Sequence, residues 1–551
     1  MDSLPPFSKT SVLIIGGGPT GLTAALLLAR YCLQVIVVER HRHRTGQPKA
    51  HAINPRSLEI FRQIGLNTVH LRDIGIPAED GDTVRFVVSI AGKEHGILPY
   101  ERQGPETLAM TPEPLFNIPQ PLLERFLEEA VAANDKITFY RGVQWDNCSR
   151  KEEKVLSSNV TERDTANVKI IESGYILDCG GANSRAREQL KIPFSPLPQF
   201  IQNEVHHLSV HINANLTGFK PGTLWWVANP LSDGTFICYD RSSSWVFVTY
   251  YSPETSPEKF TDEYCRDLVD NAIGEKVPYE ILSVTAWSTW PRTAEFYQSI
   301  RFPRSFVVGD AAHAFPPTGG LGVNTGIADA QNLAWKIHAV ERAWADESIL
   351  ATYGNERRPV AVANAHQSVK NQVKLRSLKA ALRDPPEDRA SADGIEWQKR
   401  LDGELAENSE HFDSIRLQIG YIYGEEEVSD EPCDRYTPGP VPGSRLPHAW
   451  IFHNKQRSSI LDLVDGTGFV LLMSPGSTDL LSLDKIAEIV SVPVRTFCVG
   501  DDFQVIDETW VDVMELSSPG LGLLIRPDQH IIGVATSAEE VGNLLKSALR
   551  A

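Results

Sequence analysis

Positive charge is in short supply: 53 lysines and arginines face 71 aspartates and glutamates, a formal charge of −18 over 551 residues. Nucleic acids and anionic membrane surfaces reward basic patches, so this balance argues against either as the main partner. Close cysteine pairs are missing too. The seven cysteines stand at least 27 residues apart, without the spacing of a zinc site or a redox dithiol, which suits a reducing interior better than a disulfide framework. No apolar run reaches the ~18 residues of a membrane span. The opening MDSLPPFSKT also lacks the basic start and apolar core of a secretory signal. These absences leave a cytoplasmic protein of several domains acting on small molecules, with no metal expected.

What the chain does have is two glycine clusters at opposite ends. SVLIIGGGPTGLTAALLLARYCLQVIVVER reads as a strand at Val12 to Ile15, a glycine turn, an apolar helix through Arg30, and a strand at Val35 to Val38 ending in Glu39. Gly16, Gly18 and Gly21 fit G-x-G-x-x-G: a tight turn, close approach of a pyrophosphate to the backbone, and close helix–strand packing. The helix start then faces the phosphates. Glu39, at the end of the second strand, is placed to accept hydrogen bonds from both ribose hydroxyls of an adenosine. A dinucleotide is expected here.

The second cluster is GDAAHAFPPTGGLGVNTG, Gly309 to Gly326. A strand at Ser305 to Val308 delivers Asp310 to its C-terminal end, where a carboxylate suits a polyol. Pro316 and Pro317 set a stiff corner, and Gly319, Gly320 and Gly322 leave room for a flat ring against the backbone. A helix starting near Asn324, with Ile327, Leu333 and Ile337 on its buried side, would turn its positive end to that ring. Ribitol and isoalloxazine meet these demands together, so the dinucleotide is read as FAD.

Five segments carry a resemblance to a known family: GGGPTGLTAALLLAR, KAHAINPRSLEIFRQIGL, NIPQPLLERFL, GDAAHAFPPTGGLGVNTGIADAQNLAWKI and YGNERRPVA. Together they resemble the single-component FAD-dependent aromatic hydroxylases, nearest the phenol hydroxylase branch, over almost the whole chain. The resemblance implies an α/β fold: a Rossmann-like FAD-binding domain with an inserted antiparallel β-sheet substrate domain and a C-terminal thioredoxin-like domain. The expected divisions are 1–195 and 291–423 for the two parts of the FAD-binding domain, the second with a helical region. Residues 196–290 would form the substrate domain, 424–447 a linker and 448–551 the thioredoxin-like domain, which lacks C-x-x-C. Contact between subunits, in a homodimer, is the role expected of that last domain.

Carried over residue by residue, the resemblance implies that Arg56 and Gln120 touch the flavin, that Asp310 holds the ribitol, and that Pro317, Gly320, Leu321, Gly322 and Asn324 lie at or beside the ring. One position departs. The family's middle motif, Cys-Asp-Gly followed by Ser and Arg, stands here as CGGANSRAR, with Gly180 where the acid belongs. Asp178 lies two residues earlier and would share a strand face with position 180, which makes it a candidate substitute.

Between the clusters, Phe200 to Trp290 reads as strands carrying Trp225, Trp226, Tyr239, Trp245, Tyr250 and Tyr251. In the resembled fold this sheet roofs the flavin and excludes water. The implied reaction is an NADPH- or NADH-consuming insertion of one atom of dioxygen, through a flavin C4a-hydroperoxide, into a phenolic or other aromatic small molecule. Such chemistry suits secondary metabolism. A phenol needs a base or cation to favour its phenolate at neutral pH. His51 is the candidate base, with a structural turn histidine as the alternative reading, and Tyr239 and Arg241 are candidates for gripping a phenolate or carboxylate. Arg40, Arg42 and Arg44 are candidates for the transient nicotinamide dinucleotide. Baeyer–Villiger, epoxidising or decarboxylating oxygenation, and a non-catalytic flavin-binding sensor or scaffold, are the competing functions.

Overall fold

Val12 to Ile15 and Val35 to Val38 carry no polar side chain, so their strands need cover on both faces. The computed structural model, which describes residues 4–44, 46, 48–197, 204–382, 386, 388, 390–425, 431–477 and 481–550, provides it. Strands run in the order Ile137–Arg141, Val35–Glu39, Phe7–Ile15, Val168–Asp178, Val155–Glu162, Val143–Glu152, with Ser305–Val307 beside Val168–Asp178. The helices Pro19–Arg30, Gln120–Ala132 and Gly322–Glu341 contribute to the same hydrophobic core as this sheet.

Register decides where the chemistry sits. Ile15 pairs with both Val38 and Asp178, and Asp178 pairs with Val307, all in parallel. Four strands therefore end in one row. Glu39 is the last residue of its strand, and Gly16, Gly180 and Asp310 follow theirs within three residues, at the sheet edge where ligands of such folds bind.

A second sheet of seven strands runs Tyr279–Thr289, Val205–Ala214, Ser244–Tyr251, Gly234–Asp240, Leu224–Val227, Thr83–Val87, Glu94–Pro99. Its last two strands come from before the expected 196–290 span. Thr83–Val87 pairs in parallel with Leu224–Val227, which no local pattern announces. Phe200, the expected start of this region, and residues 426–430 of the expected linker lie outside the described residues.

The last domain builds a four-stranded mixed sheet, Val494–Cys498, Phe469–Met473, Gly522–Ile525, Ile531–Ala535, packed by the helices Leu483–Ile489 and Ala538–Ala548. This is the thioredoxin-like arrangement. It docks within its own chain: Phe469 meets Trp335 edge to face at 6.2 Å, and Trp335 Nε1 donates to Asp528 at 3.1 Å. Arg62 bonds Asp462 at 2.7 Å across the same junction.

Candidate functional site

The row of strand ends opens onto one cavity of about 1040 Å³. Gly16 turns at φ +104°, and a Cβ there would come 2.4 Å from the Cys179 carbonyl oxygen, so only glycine lets the exit of Phe7–Ile15 lie against that of Val168–Asp178. Gly18 precedes the helix Pro19–Arg30, whose start no side chain caps, and both Gly18 and Pro19 line the cavity. Uncapped N–H groups and the positive dipole end suit a pyrophosphate. Glu39 also lines the wall. Its carboxylate accepts from the N–H of Gly17 at 2.9 Å and of His41 at 2.8 Å, which orients it and leaves lone pairs for a diol. Gly21 lies behind, within van der Waals reach of Gly16, and serves packing.

The second motif reaches the same cavity because Gly326 of the helix Gly322–Glu341 presses on the first. A Cβ there would come 2.4 Å from Thr20 Oγ1 and 3.0 Å from Gly309 Cα. Asp310, Pro317, Gly320, Leu321 and Gly322 all line the cavity. Asp310 is deep in the molecule yet open to this space, and burial pushes its carboxyl above the usual range against the pull of His313 and Lys49. Asn324 does not line the large cavity. It holds the loop from behind, donating to Gly320 O at 2.7 Å and Ala52 O at 3.0 Å while its Oδ1 accepts from Asn54 N–H at 2.9 Å. His313 is fixed by Asp329 at 2.8 Å, and Arg357 holds the other carboxylate oxygen at 2.7 Å. Burial pushes Asp329 up, but Arg357 and His313 outweigh it and keep it ionised, so His313 serves structure.

Beyond the loop the cavity passes under the second sheet. Trp226, Tyr239 and Tyr250 line it, whereas Trp225 and Trp245 turn to the opposite face and pack with Val269 and Ile273 of the helix Asp262–Ile273; Tyr251 lies against that same core. The period of two split these aromatics between pocket and core. His51 lines the cavity with its ring 5.6 Å from Tyr100 and 6.0 Å from Tyr239. Its Nδ1 lies 2.8 Å from Asn117 Oδ1. Asn117 donates its amide to Gly81 O, so Oδ1 is the acceptor, Nδ1 carries the proton and Nε2 holds the lone pair. Burial keeps this histidine below its ordinary pKa despite that bond, so it is neutral at pH 7. Tyr239 donates its hydroxyl to Lys49 O at 3.1 Å, and burial pushes it well up.

Several expected residues are placed elsewhere. Arg56 is buried away from the large cavity, bonding Glu59, Gln331, Gln529 and the Asp528 carbonyl at 2.7–3.1 Å; it ties the last domain to the first. Arg241 is off the cavity as well, held by Asp80 at 2.9 Å and by the carbonyls of Thr217 and Phe219. Arg42 pairs with Asp164, and Arg44 with Glu124 and Glu128. Arg40 does line the wall, as does Gln120, whose Oε1 accepts from Ala50 N–H at 3.2 Å. Asp178 turns inward. Its oxygens accept from Gly180 N–H at 2.9 Å and Ser184 Oγ at 2.6 Å, and burial raises its carboxyl to about 6. A Cβ on Gly180 would come 2.9 Å from that carboxylate, so a side chain at 180 would press on Asp178. Tyr100, Gln372 and His411 line the cavity although no sequence pattern singled them out.

The lining fits a dinucleotide such as FAD: turn glycines and an uncapped helix start, the carboxylates of Glu39 and Asp310 along one wall, and bare backbone at Gly320 to Gly322. A family model described as FAD binding domain matches residues 9–368, and one described as aromatic-ring hydroxylase, C-terminal, matches 439–551. The chain is 30% identical to a tetracenomycin A2 monooxygenase-dioxygenase of Streptomyces glaucescens over 98% of its own length and 96% of the relative's. It is 28% identical to a 2,4-dichlorophenol 6-monooxygenase of Cupriavidus pinatubonensis over the same shares. The solved structure of the flavin-dependent monooxygenase PieE with FAD and substrate superposes with a TM-score of 0.89 at 28% identity, covering 98% of this chain and 99% of that one. Matched by both models and alike in fold from end to end, the chain belongs to the FAD-dependent aromatic-ring hydroxylases.

Proposed function

We propose that this monooxygenase hydroxylates a phenolic ring held between the second sheet and the flavin, using NADPH or NADH and dioxygen. The observation that carries the reading is the single cavity whose wall includes Glu39 at one end, Asp310 and the glycine loop in the middle, and His51 with Tyr239 beyond them. Relatives named for a dichlorophenol and a tetracenomycin support an aromatic, oxygen-bearing substrate. Seven free thiols support a reducing, cytoplasmic setting.

When bound, FAD would supply the redox and oxygen-transfer chemistry. The chain's own residues supply position and proton control. His51 Nε2 takes the phenolic proton, while Asn117 fixes the tautomer through Nδ1. The lowered basicity of His51 makes it a weak acceptor, suited to sharing the proton of a phenol as charge builds on the ring. Trp226, Tyr239 and Tyr250 keep water from the reacting centre, which favours oxygen transfer over wasteful peroxide release. The test is turnover of a panel of phenols under isotope-labelled dioxygen. We expect substrate-stimulated NAD(P)H oxidation and one labelled oxygen in the product; peroxide alone with every phenol would refute the reading.

A further inference from the structure

The turn Arg526–His530, which joins the strands Gly522–Ile525 and Ile531–Ala535 of the last domain, is polar and largely buried: Asp528, Gln529 and His530 are 1%, 2% and 0% exposed. Connecting turns ordinarily run over the surface. Gln529 also holds φ +65°, a left-handed conformation that costs energy in a non-glycine residue and persists only where the surroundings fix it. Its Oε1 accepts from Arg56 Nη1 at 2.7 Å, and its Nε2 donates to Leu461 O at 3.0 Å. Arg526 forks onto Glu356 at 2.8 and 2.9 Å, and Trp335 Nε1 donates to Asp528. Apolar contacts at a junction tolerate sliding, whereas a buried polar set is satisfied in one register only.

Arg56 carries that register toward the large cavity. Its Nη2 donates to the Asp528 carbonyl at 2.7 Å and to Gln331 at 2.8 Å, so the last domain and the helix Gly322–Glu341 hold it together. It lies in the first turn of the helix Pro55–Gln63, two residues after the N-cap Asn54. Asn54 N–H donates to Asn324 Oδ1, and Asn324 Nδ2 donates to the carbonyls of both Ala52 and Gly320. Ala52 follows His51, and Gly320 belongs to the glycine loop. A single helical turn and a few hydrogen bonds therefore link Gln529 to the two walls whose spacing matters, the proton acceptor and the loop. A second line starts at His530, which stacks on Tyr423 at 4.2 Å. The Tyr423 hydroxyl accepts from Arg357 at 3.5 Å, and Arg357 holds the Asp329 that fixes His313.

We propose that Gln529 and Arg56 are positioning residues for the oxygenation site, the buried turn of the last domain setting how His51 stands against the glycine loop. This rests on the cavity being the FAD-holding oxygenation chamber assigned above. The test follows FAD binding by flavin fluorescence, and the seating of the ring by visible circular dichroism of the bound flavin. Gln529→Leu should raise the FAD dissociation constant about tenfold, the worth of one buried hydrogen bond to a charged group, and change the flavin's dichroism. Gln529→Glu, which still accepts from Arg56, should keep both at wild-type values. Arg56→Lys retains the charge but cannot span Gln529, Asp528 and Gln331 together; it is the second variant and should behave like Gln529→Leu. Phe469→Leu thins the apolar part of the same junction, so it should lower the melting temperature while leaving FAD binding and dichroism unchanged. Gln529→Leu and Arg56→Lys both matching wild type would overturn the proposal, as would Phe469→Leu moving the two flavin readouts as far as they do. A wild type that takes up no FAD would instead bring down the oxygenase reading, and this inference with it.

Discussion

The two ends of the cavity are built by different means. At the end proposed for the cofactor the lining is main chain and carboxylates at strand ends: Gly16, Gly18, Glu39, Asp310 and the loop Gly320 to Gly322. At the end proposed for the substrate the lining is side chains on separate elements, among them His51, Trp226, Tyr239, Gln372 and His411, brought together by tertiary packing. The first end is a local device written in short motifs. The second is an assembly of distant segments.

That contrast can be broken or sharpened by experiment. The largest effect is expected at Gly16. Gly16→Ala adds a Cβ 2.4 Å from the Cys179 carbonyl at a positive φ, so the purified variant should lose its flavin absorbance; a fully yellow variant would show that the turn is not a rigid cofactor element. His51→Ala comes next. Losing a positioned proton acceptor should slow hydroxylated-product formation by about 10²-fold. The rate of flavin reduction in stopped flow should stay near wild type. An equal loss in both steps would mean that His51 shapes the cofactor end instead. The smallest effect concerns the support behind Tyr100. Glu101 accepts from Ser414 N–H at 3.1 Å, Ser414 Oγ at 3.0 Å and Gln418 Nε2 at 2.8 Å, and burial raises its carboxyl from 4.5 to about 7. The folded state therefore binds more protons in that window, so this contribution to stability is complete below pH 4.5 and is lost as the pH rises through about 7. Relative to Glu101→Gln, the wild-type melting temperature should fall across the window; parallel curves would show that Glu101 does not titrate there.

The same division explains which residues could be read in advance. Glycine turns and strand-end acids depend on neighbours a few positions away, so Gly16, Glu39 and Asp310 lie at or just past the ends of their strands. Arg56 is buried off the large cavity, because its partner Gln529 is 473 residues further along the chain. Arg241 is likewise held by Asp80, 161 residues before it. An arginine's long side chain goes to the best carboxylate or carbonyl in space, and sequence spacing carries no record of that choice. Asp178 faced the interior because its neighbours' Gly180 N–H and Ser184 hydroxyl bind it in a turn, where the alternation of a strand no longer applies.

The order of residues alone determined the αβ coenzyme fold, the glycine turns and the carboxylates at the strand ends, since backbone conformation and hydrophobic periodicity are short-range properties. Only the tertiary structure decided that Thr83–Pro99 would complete the roof, that the last domain would lock onto Arg56 and Trp335, and that Gln372 and His411 would share a chamber with Trp226. Those outcomes depend on which distant surfaces can be buried together with their polar groups satisfied, a property of the packed chain and not of any one segment.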